Sequence, residues 1–127
     1  MEKGRNEKFD FEKLVVWNEA VEFADRVFSI LENLDTKRNH YRLLEQIESS
    51  ATSISMNIAE GKGRYSKKEY VQFLYYARGS IFETVTLLTI FKKRNWIQQE
   101  IYYSIKQSAI DLAKMLNALI RSIKSRL

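Results

Sequence analysis

The chain has 127 residues, no cysteine, no proline and four glycines, with 21 Lys and Arg against 16 Asp and Glu for a formal charge of +5. That length suits one domain with a real core. The lack of cysteine excludes disulfides, thiolate metal sites and cysteine nucleophiles, which agrees with a reducing cytoplasm. A pI near 9.4 permits contact with phosphate polymers without demanding it.

The opening MEKGRNEKFD has no apolar run behind its charges, so neither a secretory signal nor a transit peptide is expected, and residues 1–10 read as a flexible segment ahead of one domain over 11–127. Charges interrupt every apolar stretch well short of the roughly 20 residues that span a bilayer, so a soluble protein is expected.

The first apolar series, Leu14, Trp17, Val21, Ala24, Phe28 and Leu31, steps by three and four and predicts a helix from about Glu12 to Leu34. The polar stretch DTKRN then makes a turn. A second stripe, Leu44, Ile47, Ala51, Ile54 and Ile58, ends near Glu60, with Gly61 available for a left-handed cap. Ser66-Lys67-Lys68-Glu69 is a capping box, in which the serine hydroxyl and the glutamate each satisfy an orphan amide. The third helix carries Tyr70, Phe73, Leu74, Ala77, Ile81, Val85, Leu88 and Phe91 to about Arg94. The fourth carries Ile101, Ile105, Ala109, Leu112, Leu116, Leu119 and Ile123. Four helices with short connections predict an all-α, antiparallel up-down-up-down four-helix bundle.

Residues 51–83 read ATSISMNIAEGKGRYSKKEYVQFLYYARGSIFE. The string Ser53, Ile54, Asn57, Ile58, Ala59, Glu60, Gly61, followed by Arg64, Ser66, Glu69, Phe73, Leu74, Ala77, Gly79, Ser80 and Glu83, resembles the signature of the four-helix bundle family encoded by 23S ribosomal RNA intervening sequences, the S23-like proteins. Phe11 to Trp17 resembles the family's opening, and Met115-Leu116 with Leu119-Ile120 its close, so the resemblance covers about residues 9–124. It implies a closed homopentamer of bundles side by side. It also implies kinship with the accessory variability protein of diversity-generating retroelements, which binds nucleic acid and partners a reverse transcriptase. The expected partners are therefore further copies of the chain, RNA or DNA, and a protein such as a reverse transcriptase. Relatives often place two arginines before the alanine of the second helix, where this chain has Glu48 and Ser49.

Asn57 and Glu60 share a helix face, as do Ser80 and Glu83. Glu60 and Glu83 could be carboxylate ligands or an acid/base pair, but metal-binding bundles use Glu-x-x-His and the only histidine is His40. The favoured reading is a structural polar network, with Arg64 or Arg78 as partner. No Gly-x-Ser-x-Gly elbow occurs, and Gly61-Lys62-Gly63 lacks the strand and Gly-Lys-Ser/Thr ending of a phosphate loop. No catalytic residue, metal or cofactor is expected.

Up-down topology gathers Lys37, Arg38, Arg42, Lys92, Lys93 and Arg94 at one end of the bundle and Lys62, Arg64, Lys67, Lys68, Arg121, Lys124 and Arg126 at the other. The second set is the preferred nucleic-acid site, because Lys67 and Lys68 occupy a first helical turn, where the macrodipole disfavours cations. Tyr75, Tyr76, Trp96, Tyr102 and Tyr103 fall partly outside the core stripes and are expected at a subunit interface, with base stacking as the sharper alternative.

Overall fold

The computed structural model describes residues 6–36 and 38–127. A 3₁₀ turn, Asp10–Lys13, precedes four α-helices: α1 Val15–Glu32, α2 Tyr41–Lys62, α3 Lys67–Lys93 and α4 Gln99–Lys124. No strand occurs among the described residues. Of the leader expected to be flexible, residues 1–5 lie outside the described residues, while Phe9 stacks on Phe11 and its amide donates to Glu12 Oε2 at 2.9 Å.

Side-chain links across the seams fix the topology. Ser50 meets Thr84 at 2.8 Å and Ser53 meets Ser80 at 2.5 Å, so α2 and α3 run antiparallel. Arg78 donates to Asn117 at 2.9 Å and Thr89 meets Tyr102 at 2.8 Å, so α3 and α4 are antiparallel too. Arg26 reaches Ser104 and Ser108, while Leu14, just ahead of α1, lies beside Leu119 and Ile123 near the end of α4, so α1 and α4 run in opposite sense. Each helix therefore packs on its two neighbours around a square.

The core is the inner stripe of each helix, with Ile47, Ala51, Ile54 and Ile58 of α2 and Leu74, Ala77, Ile81, Leu88 and Phe91 of α3 fully buried. Each large side chain removed from water here contributes about 1.5–3 kcal/mol. In α4, Ile105, Ala109, Leu112, Leu116 and Ile123 are buried as expected, whereas Ile101 is exposed and Tyr102 takes the core position.

The α1 stripe differs from the expected one. Val16, Ala20, Phe23, Ala24 and Val27 face inward, Leu14, Trp17, Phe28 and Leu31 are half-buried, and Val21 is exposed. The helix does not start at Glu12: Leu14 is extended (φ −78°, ψ 126°) between the 3₁₀ turn and Val15, and Asn18 Nδ2 ties the joint by donating to the Glu12 and Leu14 carbonyls.

At the far end of the bundle α3 ends at Lys93, and Asn95 takes the left-handed conformation (φ 62°) and turns the chain into Trp96. The Trp96 amide donates to the Phe91 carbonyl at 2.9 Å, and its indole lies against Phe91 and stacks on His40. The Asp35 amide donates to the Trp96 carbonyl at 3.1 Å, locking the α1–α2 connection to the α3–α4 turn.

Candidate nucleic-acid interface at one end of the bundle

The end formed by the α2–α3 connection and the α4 C-terminus depends on a close helix approach. Gly61 is buried, and a Cβ there would lie 2.8 Å from Phe73 Cβ and 3.1 Å from the Tyr70 ring. Gly61 does not form a left-handed cap: α2 continues through it to Lys62, and Gly63 ends the helix at φ −82°. The glycine is needed for proximity to α3, not for a turn. Ser66 then caps α3, accepting from the Glu69 amide at 3.1 Å and donating to the Glu69 carboxylate.

The short connection holds its charges outward. Lys62, Arg64, Lys67 and Arg126 line an open groove of about 390 Å³ together with Tyr65 and Tyr70, floored by Leu14, Leu119 and Ile123. Lys67 Nζ donates to the Arg126 carbonyl at 3.4 Å, which brings the α3 N-terminus to the end of α4. Arg126 itself donates to Ser122, and Arg64 lies over the Phe73 ring and pairs with Glu60 at 3.1 Å. Lys124 sits on the flank, donating to Tyr75 Oη at 3.2 Å. Lys68 and Arg121 are exposed outside the groove lining. Of these seven cations, Arg64 alone is in an ion pair among the described residues.

Two aromatics give the groove its character. Tyr65 is fully exposed at its rim, a platform that periodicity does not reveal because the residue belongs to no stripe; its signal in the sequence is an aromatic set within the basic run KGRYSKK. Tyr70 is half-buried beneath Lys62, and its hydroxyl is buried without a hydrogen-bond partner. That burial pushes the phenol above its ordinary value.

The four residues expected to form a polar network do not converge. Asn57 donates to the Ser53 carbonyl, Glu60 pairs with Arg64 on the surface, and Glu83 is exposed. Only Ser80 joins the seam, accepting from Ser53, while Arg78 turns to Asn117 and the Tyr75 ring. The buried polar pair is instead Ser50 and Thr84.

Among the aromatics expected at an interface, Tyr76 and Tyr103 are exposed and Tyr75 is half-buried. Tyr102 belongs to the core, and Trp96, packed between His40 and Phe91, is half-buried. A hydrogen bond from Gln99 and the nearby Lys92 ammonium hold the exposed Tyr103 phenol below its ordinary value.

At the opposite end, Arg38, His40, Arg94 and Trp96 line a cavity of about 470 Å³, while Lys37 lies outside the described residues. Among the described residues no group of three His, Cys, Asp or Glu could hold a metal ion, and no helix is long and apolar enough to cross a membrane.

Fold and site define an antiparallel four-helix bundle with one basic, groove-bearing end. The chain belongs to the 23S rRNA-intervening sequence protein family, whose model matches residues 12–118. It is similar in structure to a protein with unknown function from the S23 ribosomal protein family of Bacteroides thetaiotaomicron VPI-5482 (TM-score 0.74, 29% identity, covering 84% of this chain and 98% of that one). No curated protein matches it.

Proposed function

We propose that this protein is a non-enzymatic cytoplasmic oligomer, a homopentamer by family resemblance, that binds RNA or DNA through the basic end of the bundle. One observation carries the reading: Lys62, Lys67 and Arg126 converge on a groove rimmed by the exposed Tyr65, with no carboxylate paired to any of them among the described residues. Cations so placed neutralise backbone phosphates and release counterions, and an exposed ring beside them stacks on an unpaired base. In this reading binding follows charge and strandedness more than sequence.

The test is binding of a generic single-stranded RNA across a salt series. Changing Lys62, Arg64, Lys67 and Lys68 to Gln weakens binding and flattens the salt dependence by about 0.7 in log–log slope for each phosphate that is no longer neutralised. Tyr65→Ala costs about 1–3 kcal/mol of single-strand affinity. Unchanged affinity and slope in the four-fold variant refute the site.

A protein-interaction scaffold is the second reading, supported by the exposed Tyr76, Phe82 and Tyr103. Co-purification of a protein, with no RNA shift at low salt, favours it.

A further inference from the structure

The end of the bundle away from the basic groove holds two cavities that share a wall. Asp35, Asn95 and Trp96 line both, so the two, about 760 and 470 Å³, form one depression folded around the Trp96 indole. Each is of the size that small-molecule sites have.

The two arms differ in chemistry. The smaller is cationic: Arg38, Arg94 and His40 line it, and neither arginine is in an ion pair among the described residues. The larger is lined by the amides of Asn33, Asn95, Gln98 and Gln99, over the half-buried Ile30 and the buried Ile97. The Asn33 amide donates to the Ser29 carbonyl and the Gln99 amide to the Tyr103 hydroxyl, which leaves both side-chain oxygens as acceptors. Between the arms stands Asp35, exposed and likewise outside any ion pair among the described residues.

The walls are set by the fold. His40 stacks on Trp96 with ring centroids 4.4 Å apart, Phe91 lies against the same indole, and the Asp35 amide donates to the Trp96 carbonyl at 3.1 Å. Asn95, in the left-handed conformation, holds the turn that places Arg94 in one arm and Gln98 in the other. A site fixed in this way loses little freedom when a ligand enters.

We propose that this depression binds a nucleoside monophosphate. The guanidinium forks of Arg38 and Arg94 suit the phosphate, the Asp35 carboxylate accepts from ribose hydroxyls, and the amide-lined arm takes the base. Ile30 and Ile97 give that arm an apolar floor, and the free amide oxygens accept from an exocyclic amino group. Simpler ligands match less of it. Inorganic phosphate uses the cationic arm alone and meets repulsion from Asp35, while an apolar molecule leaves the amides without partners. The site lies at the opposite end from the Lys62–Lys68 groove and does not depend on the RNA reading of that groove. A free nucleotide and the terminal nucleotide of a 5′-phosphorylated strand offer the same chemistry.

The experiment is titration calorimetry of the full chain with AMP, UMP and inorganic phosphate, with circular dichroism to confirm folding. AMP binds, changes Trp96 fluorescence in a Trp17→Phe chain, and binds more tightly than UMP, whose base lacks an amino group. Inorganic phosphate binds about tenfold more weakly than AMP or worse, and Arg38→Gln with Arg94→Gln weakens AMP by about tenfold or more. Asp35→Ala removes both an acceptor and a repelling charge, so it weakens AMP and strengthens inorganic phosphate, a crossing that loss of fold could not produce. Absence of AMP binding, an AMP affinity no better than that of inorganic phosphate, or an unchanged affinity in the folded arginine variant overturns the proposal. The source is read by competition against AMP with a short oligoribonucleotide, using the Gln variant of Lys62, Arg64, Lys67 and Lys68 so that the basic end is silent. Competition only by the 5′-phosphorylated strand assigns a strand end, and competition by neither form assigns a free nucleotide. Equal competition by the phosphorylated and unphosphorylated strands shows that internal phosphates suffice and overturns the monophosphate assignment.

Discussion

Ser50 and Thr84 meet at 2.8 Å in the middle of the α2–α3 seam, and among the described residues they are the two polar side chains buried in the core. Ser50 also reaches the Ile47 carbonyl and Thr84 the Ser80 carbonyl, so the pair is satisfied from both helices. One turn along, Ser53 and Ser80 repeat the contact. Small hydroxyl residues allow the two helices to approach closely, and their directed bonds hold the register that brings Gly61 against Phe73 at the end of the bundle.

The pair predicts non-additive stability. Thr84→Val removes the cross-seam bond while the Ser50 hydroxyl keeps the Ile47 carbonyl, and costs about 0.5–1.5 kcal/mol, whereas Ser50→Ala with Thr84→Val replaces both polar groups and costs less than the sum of the singles. Denaturant unfolding of the four members of the cycle measures this. Strict additivity would show that the hydroxyls do not interact.

The glycines of the seam and the surface predict opposite signs. Gly61→Ala forces a Cβ to 2.8 Å from Phe73 Cβ, and overpacking at a helix crossing costs about 1–3 kcal/mol. Gly79 lies mid-helix with nothing within 4 Å of an added Cβ, so Gly79→Ala gains about 0.5–1 kcal/mol from helix propensity alone. Thermal unfolding of the two variants should move Tm in opposite directions; a common sign would contradict the close approach at Gly61.

Periodicity made the α2, α3 and α4 cores legible because each has one dominant apolar stripe. In α1 it misled, since Val15, Val16, Trp17, Val21, Phe23, Val27, Phe28, Ile30 and Leu31 supply two interleaved series that both step by three and four. Which one faces inward is set by where the 3₁₀ turn hands over to the helix, a tertiary decision. The carboxylates Glu60 and Glu83 have the spacing of a chemical site, yet both lie on the outer edge of their helices. The polar groups that are buried were hidden within the stripes, Ser50 between Ile47 and Ile54, and Thr84 between Ile81 and Leu88. The basic end was readable from loop placement alone, while the groove and Tyr65 at its rim required the connection's path.

Tyr70 supplies a prediction whose size grows with pH. Its hydroxyl is buried without a partner, so the folded state bears a desolvation cost that Phe would avoid. Tyr70→Phe should raise stability at neutral pH by about 1 kcal/mol. Burial also raises the phenol above the ordinary 10.0. Below pH 10 the ring is neutral both folded and unfolded; above it, the unfolded chain ionises first, so stability tied to the neutral phenol falls as pH climbs through the raised folded value. The Phe variant therefore loses less stability than wild type between pH 9 and 11, a window that brackets the ordinary tyrosine value near 10. Urea unfolding at both pH values checks both halves. A destabilised Phe variant at neutral pH would mean that the hydroxyl is held by a bond in solution, and RNA binding should be indifferent to the change because the hydroxyl is not on the open face of the groove.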